Sequence, residues 1–247
     1  MTEPRAPGIS FEFDERVLTA TLDSAGGNVM SAGMCDALAE VLLHPPAEAH
    51  VLVLRATGPD FCLGRERSAI SVDSVSDEVG RLIALNRAFA ASRLVTVSRV
   101  HGDAAGYGVG LAALADVAVA TRAARFSFPE VRMGLAPSIV VAWLQPLVGP
   151  RQAFWLTASG VAFSAEQAAG FGMLNEVVDD IAELDAAVQR RVSTVLAGSP
   201  RVHAEIKQFL RVTSGMTAEH SYELAGDRLA LASLRRVLGA DSSASGR

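Results

Sequence analysis

The sequence has few of the residues that commonly anchor a metal, a disulfide or a nucleic acid. Only two of its 247 residues are cysteine and five are histidine. Cys35 and Cys62 form no disulfide framework and lack metal-ligand spacing, so a reduced, cytoplasmic setting is expected. The net charge is −5 and no basic patch stands out, which argues against a nucleic-acid partner.

Segments that would interact with a membrane are also missing. The apolar stretch over residues 109–120 is interrupted by Asp116 and is too short to span a bilayer. The amino terminus has no basic stretch followed by an apolar one, so no signal peptide is expected. Half of the residues are hydrophobic, which is enough for one well-buried domain with a terminal extension.

Strand and helix patterns alternate over the first 150 residues, which predicts an α/β fold. The continuous apolar run at residues 51–54 is typical of a strand buried on both faces. Other strands are predicted at residues 9–13, 17–22, 95–100 and 117–120, and helices at residues 31–44, 77–92 and 106–115. Beyond Pro150 the pattern is mostly helical, at residues 151–158, 164–170, 181–196, 202–212 and 217–238, and residues 241–247 read as a flexible tail.

Two short segments each place a tight glycine turn after an apolar run. They are Phe-Cys-Leu-Gly-Arg-Glu at residues 61–66 and Gly-Tyr-Gly-Val-Gly at residues 106–110. Such turns expose backbone N–H groups, and two that converge would form an oxyanion hole. A dinucleotide fingerprint would need its third glycine where Leu111 stands. From the residues alone, the glycines could equally serve close packing of a helix on a strand.

Five ordered segments resemble the crotonase (enoyl-CoA hydratase/isomerase) superfamily, over roughly residues 8 to 235. The first two contain the glycine turns, and the fourth is similar to the family's F-x-x-P-E-x-x-x-G-x-x-P loop. The resemblance implies a crotonase (ClpP-like) spiral of β-β-α units over residues 1–195 and a helical trimerisation region over residues 196–240. The five segments are residues 51–64, 100–112, 115–120, 125–137 and 156–178.

The resemblance implies an active site for a coenzyme A thioester. The backbone N–H groups of Arg65 and Tyr107 would hold the thioester oxygen, and Glu130 matches one of two catalytic glutamates of the hydratases. From spacing alone, Glu130 would read as a surface carboxylate after a proline. The further substrate-binding residues implied by the two turns and the loop are Cys62, Leu63, Gly64, Gly106, Gly108, Gly110, Pro137 and Ser138.

Several positions depart from the family pattern. Hydratases commonly have their second glutamate where Gly110 stands, although isomerases work with the Glu130 position alone. Dehalogenase-like relatives have an aspartate at the position of Ser138, so nucleophilic chemistry is not expected here. Tyr107 replaces a glycine, so it is strained if its φ is positive, or its ring projects toward the acyl group. Arg65 and Arg67 are either solvated or meet CoA phosphates or a substrate carboxylate.

The function expected from the resemblance is hydration of a 2-enoyl-CoA through a stabilised thioester enolate. The alternatives are isomerisation of a 3-enoyl-CoA to a 2-enoyl-CoA with a single glutamate, and a catalytically inert acyl-CoA-binding trimer. The CoA thioester would be a substrate, with no tightly bound cofactor and no metal. A homotrimer or a dimer of trimers is the assembly that the family implies.

Overall fold

The computed structural model describes residues 6–67 and 71–237. Two compact units divide after Ala204. The strands are β1 (Ile9–Asp14), β2 (Val17–Leu22), β3 (Val51–Ala56), β4 (Val95–Val100), β5 (Ala104–Ala105), β6 (Val117–Thr121), β7 (Arg125–Ser127), β8 (Phe163–Ser164) and β9 (Glu176–Val178). The helices are α1 (Ala32–Leu43), α2 (Val72–Ala91), α3 (Tyr107–Ala113), α4 (Ser138–Val148), α5 (Pro150–Ser159), α6 (Ala165–Gly170), α7 (Ile181–Leu196), α8 (Pro200–Thr213) and α9 (Ala218–Val237).

The larger sheet has six strands in the order β1-β2-β3-β4-β6-β9. β1 pairs antiparallel with β2, and the remaining pairs are parallel. β3 is buried on both faces, as its continuous apolar run predicts. Val51 and Val53 belong to a cluster that includes side chains of α7, while Leu52 and Leu54 belong to the main core.

A second, smaller sheet contains β5, β7 and β8. Two isolated bridges continue it, between Met30 and Arg65 and between Cys62 and Ala104. Except for β8, which follows α5, each piece of this layer follows a strand of the larger sheet, so the chain repeatedly places one strand in each layer and then forms a helix. The predicted α/β architecture of repeated β-β-α units is confirmed.

Helix starts follow local capping chemistry. Ser31 caps α1 as expected, because its side chain accepts a hydrogen bond from the Met34 N–H. α2 begins earlier than predicted, because Ser71 and Ser74 form a reciprocal capping box before Val72. α4 was not predicted, since Pro146 within its span reads as a helix breaker.

A cluster of buried His50 with half-buried Arg16 and His203 ties the first residues of α8 to the sheet. The Arg16 guanidinium donates to His50 Nδ1 at 2.9 Å, because arginine can only donate. His50 Nε2 therefore carries the proton and donates to His203 Nδ1 at 2.9 Å. Burial lowers the pKa of His50 to about 4, and the charges of Arg16, His203 and Arg93 act in the same direction.

The carboxyl-terminal helices expose several apolar side chains, including Leu210 and Tyr222. The trimerisation predicted for this region stays a prediction, and the predicted tail at residues 241–247 lies outside the described residues. Over residues 6–67 and 71–237, no helix is both long and apolar enough to cross a membrane.

Candidate active site

The first glycine turn follows β3 and is held by the segment around Met30. The Met30 N–H donates to the Gly64 carbonyl oxygen at 3.0 Å, and the Glu66 N–H donates to the Met30 carbonyl oxygen at 2.9 Å. In such a parallel bridge, the residue between the two bonded peptides turns its own N–H to the opposite side. The N–H of Arg65 therefore points away from Met30.

The second glycine turn lies on that opposite side, where Cys62 pairs with Ala104. Gly106 has a φ of 52°, which favours glycine, and its N–H donates to the Ser127 carbonyl oxygen at 2.8 Å. Tyr107 is the first residue of α3, so its N–H has no acceptor within the helix. The turn thus leaves a second backbone N–H without a helical acceptor.

Close backbone contacts bring the two turns together. A Cβ atom placed on Gly108 would lie 2.0 Å from the Cys62 carbonyl oxygen, so only glycine fits there. A Cβ atom on Gly64 would lie 3.6 Å from the Ala105 carbonyl oxygen. Arg65 and Tyr107 both line the cavity at this junction, and an oxyanion hole would require their N–H groups to point to one place there.

The Glu130 carboxylate lies directly against the second turn. A short 3-10 helix, Pro129–Met133, follows β7 and carries this residue. A Cβ atom on Gly106 would lie 2.6 Å from Glu130 Oε1, so a side chain at position 106 would collide with the carboxylate. Glu130 Oε2 is buried and has no hydrogen-bond partner among the described residues.

A cavity of about 580 Å³ opens at this junction. Eight of the predicted site residues line it, from both turns and the loop after β7. Apolar side chains from α2, the 3-10 helix and α4 form much of the remaining wall, so the space suits an acyl chain. The predicted residues in the wall are Leu63, Gly64, Arg65, Gly106, Tyr107, Glu130, Pro137 and Ser138.

Two of the other predicted substrate-binding residues lie behind the wall. Cys62 is fully buried, and its thiol donates to the Gly64 carbonyl oxygen at 3.3 Å. Burial raises the pKa of Cys62 to about 12, so the thiol stays protonated and unreactive. Gly108 faces Cys62. Both residues shape the junction of the turns and do not contact the cavity.

The third residue behind the wall, Gly110, faces the indole of Trp143. A Cβ atom on Gly110 would lie 3.4 Å from Trp143 Cζ2 and 3.5 Å from Trp143 Nε1. A glutamate at position 110 would have to displace this ring. Among the described residues that line the cavity, the only carboxylate is that of Glu130.

Tyr107 is not strained, in contrast to one of the two possibilities raised by the sequence. Its backbone is helical, and the positive φ angle falls on Gly106. The buried hydroxyl lies 3.0 Å from Asn86 Oδ1 and 3.2 Å from the Leu82 carbonyl oxygen, both on α2. Burial raises the pKa of the phenol above its ordinary value, so it remains a neutral donor.

The Arg65 guanidinium forms an ion pair with Glu78 of α2 at 2.9 Å and remains about 25% exposed. The Arg67 guanidinium lies 3.0 Å from the sulfur of Met133 at the cavity wall.

The sequence did not reveal the cavity residues Val79 and Leu82 of α2 or Ile139 and Val140 of α4 as site residues. Val79 and Leu82 are part of the helical periodicity of α2, but that pattern predicts only a buried face. No group of three or more potential metal-ligating side chains occurs within residues 6–67 and 71–237.

Comparison with known proteins gives the family. The family model described as enoyl-CoA hydratase/isomerase matches residues 12–230. A probable enoyl-CoA hydratase of Rhodobacter capsulatus is 28% identical over 207 residues, which cover 81% of this chain and 79% of that protein. This chain therefore belongs to the enoyl-CoA hydratase/isomerase family, whose enzymes are lyases and isomerases.

Solved structures agree with the fold. The crystal structure of an enoyl-CoA hydratase from Mycobacterium smegmatis superposes with a TM-score of 0.86 at 31% identity, covering 92% of this chain and 91% of that one. A Thermobifida fusca protein assigned as an enoyl-CoA hydratase, solved in complex with CoA, gives a TM-score of 0.81 at 26% identity with 94% of each chain covered. These comparisons confirm the prediction that the chain belongs to the crotonase superfamily and has the crotonase fold.

Proposed function

We propose that this chain hydrates a 2-enoyl-CoA through an enolate held by the N–H groups of Arg65 and Tyr107. The observation that supports this is the convergence of two glycine turns and one carboxylate, Glu130, on a single cavity. Coenzyme A enters as part of the substrate. The Thermobifida fusca relative in complex with CoA supports that ligand class, and Arg67 at the cavity wall suits its phosphates.

In this reaction Glu130 moves the proton and the two turns hold the charge. The thioester oxygen accepts a hydrogen bond from each of the two N–H groups. Glu130 takes a proton from water while the water oxygen bonds to C3, and the C2=C3 electron pair moves onto the thioester oxygen. Glu130 then returns the proton to C2. Preorganised N–H donors of this kind stabilise the developing oxyanion, and each contributes about two to three powers of ten in rate.

Isomerisation of a 3-enoyl-CoA to a 2-enoyl-CoA is the second candidate, and one observation favours it. Within the part of the chain that the structure describes, Glu130 is the only carboxylate in the cavity wall, and one carboxylate is enough to carry a proton between two carbons. An inert acyl-CoA-binding trimer is less consistent with the site, because such a protein has no use for a buried, unpartnered carboxylate oxygen.

The assembly we propose is a homotrimer or a dimer of trimers. Exposed aromatic side chains on α5, Phe154 and Trp155, leave apolar surface to cover. Analytical ultracentrifugation of the full chain measures the assembly directly, and a monomer over the working concentration range would contradict it.

Turnover by the purified protein tests the function. Crotonyl-CoA and a 3-enoyl-CoA are supplied separately, and NMR identifies a 3-hydroxyacyl or a 2-enoyl product. Hydration of crotonyl-CoA supports the proposal, and 2-enoyl product alone supports the isomerase. Binding of acyl-CoA with neither product over a range of chain lengths would contradict both and support the inert trimer.

A further inference from the structure

Two buried polar atoms without partners flank one face of α3. Three such side-chain atoms occur in the described residues: His101 Nδ1, Glu130 Oε2 and Trp143 Nε1. A buried polar atom without a hydrogen bond is costly, so its position needs an explanation. The carboxylate and the indole lie close enough together along the helix to be considered as a pair.

Two glycines at the start of α3, its N-cap Gly106 and Gly110, each contact one member of this pair. Gly106 contacts the Glu130 carboxylate, and Gly110 contacts the pyrrole edge of Trp143. Gly106 is the N-cap of α3 and Gly110 lies within the helix, so the two positions are about 6 Å apart along its axis. The acceptor and the donor therefore both lie beside the start of α3, at two positions that carry no side chain.

Two further observations place the indole directly behind the cavity wall, which Trp143 itself does not line. Ile139 and Val140 line the cavity, and Trp143 follows one turn later on the same face of α4. The Trp143 ring also packs against Phe128, with ring centroids 6.2 Å apart, just before the 3-10 helix that carries Glu130.

The hydrogen-bonding chemistry of the indole N–H and the carboxylate determines which ligand group can lie between them. The indole N–H only donates, and an ionised carboxylate only accepts. An oxygen that bears hydrogen satisfies both groups, whereas a methylene group satisfies neither.

We propose that Trp143 Nε1–H binds the oxygen atom at C3 of the acyl group, which is the attacking water in hydration and the departing hydroxyl in its reverse. This assignment rests on the proposed function and names its substrate class, an acyl-CoA that gains or carries oxygen at C3. Glu130 accepts the proton of that oxygen, while Trp143 holds the oxygen in place and transfers no proton.

Binding measurements test this without requiring turnover. Dissociation constants are measured for 3-hydroxybutyryl-CoA, whose C3 hydroxyl can accept from the indole and donate to Glu130, and for butyryl-CoA, which has no oxygen at C3. The variant is Trp143→Phe, and the matched control is Trp155→Phe, whose ring is 61% exposed. The wild type and the control should prefer the oxygenated ligand by about three- to tenfold, and Trp143→Phe should remove that preference.

If Trp143 had a purely structural role, its replacement would weaken the binding of both ligands equally. An unchanged preference in Trp143→Phe therefore overturns the assignment. Should Trp143→Phe fail to fold, replacing Trp143 by benzothienylalanine keeps the ring shape and removes only the N–H, and the same loss of preference is expected. Failure of the wild type to bind either ligand would overturn the proposed function as well, which distinguishes the two outcomes.

Discussion

Two groups of buried polar side chains in this protein differ in how completely they are paired. In the Arg16–His50–His203 cluster both ring nitrogens of His50 have partners. At and beside the candidate active site, Glu130 Oε2 and Trp143 Nε1 have none among the described residues. A buried polar atom left unpaired costs about 1–3 kcal/mol, so a fold tolerates it where a ligand completes the bonding. The paired cluster should serve stability, and the unpaired one should serve turnover.

Removing the site carboxylate should produce the largest effect. Glu130→Gln keeps the shape but cannot accept a proton, so turnover of the best substrate should fall at least about a hundredfold. Thermal unfolding should change little, since no hydrogen bond to Oε2 is lost. The measurements are kcat and Tm. Glu12→Gln is the control, because Glu12 is exposed and forms only a loose ion pair at 3.6 Å. Near-native activity of Glu130→Gln would refute the catalytic assignment.

The junction of the turns can be tested with two glycines of the same helix. Gly108→Ala forces a Cβ atom onto the Cys62 carbonyl oxygen, which should cost about 3 kcal/mol of unfolding free energy and separate the two N–H groups. Gly110→Ala meets Trp143 at an ordinary contact distance and should be neutral, or stabilising by up to about 1 kcal/mol. Urea unfolding measures both. Equal stability of the two variants would mean that the turns are less closely packed than described.

Breaking the paired cluster should lower stability and leave kcat nearly unchanged, which is the opposite of the result expected for Glu130→Gln. His50→Leu leaves Arg16 and His203 without their partner and should cost about 1–3 kcal/mol in unfolding free energy. Where the variant is folded, kcat should stay within about twofold of the wild type. The control is His44→Leu, an exposed position at the end of α1. A large loss of kcat in folded His50→Leu would show that the two clusters are coupled.

The smallest effect is a pH dependence of stability. The pKa of His50 is about 4 in the folded protein and near 6.5 when unfolded, so the unfolded chain binds the additional proton. The contribution of His50 is complete above pH 6.5 and is lost as pH falls toward 4, by about 1 kcal/mol per unit at most. Urea unfolding between pH 7 and 5 should show a shallower decline in His50→Gln than in the wild type. Parallel curves would contradict a neutral, buried His50.

Much of the larger sheet was predictable, because its signals are local. β2, β4 and α7 have the predicted bounds. The smaller sheet was missed, since strands of two or three residues such as β5 and β8 are too short to show an alternating pattern. The glycine turns were found from their spacing.

The side chains of the site were harder to predict than its backbone. Arg65 was a candidate for phosphate binding, but Glu78, thirteen positions away on α2, takes its guanidinium. The contact between Gly110 and Trp143 joins two helices, and no local pattern indicates it. Family resemblance supplied Glu130, which spacing alone would have placed at the surface.

The strand order of the larger sheet has a consequence for how the chain assembles. Because the order β1-β2-β3-β4-β6-β9 follows the direction of synthesis, each new strand pairs with the edge that its predecessor has just formed. No strand has to be inserted between two that are already paired. The Gly106 peptide, however, bonds to Ser127 in β7, so the second turn is fixed only after β6 has joined. A nascent chain can therefore pair the first five strands of this sheet before the second turn is fixed, and β9 joins last.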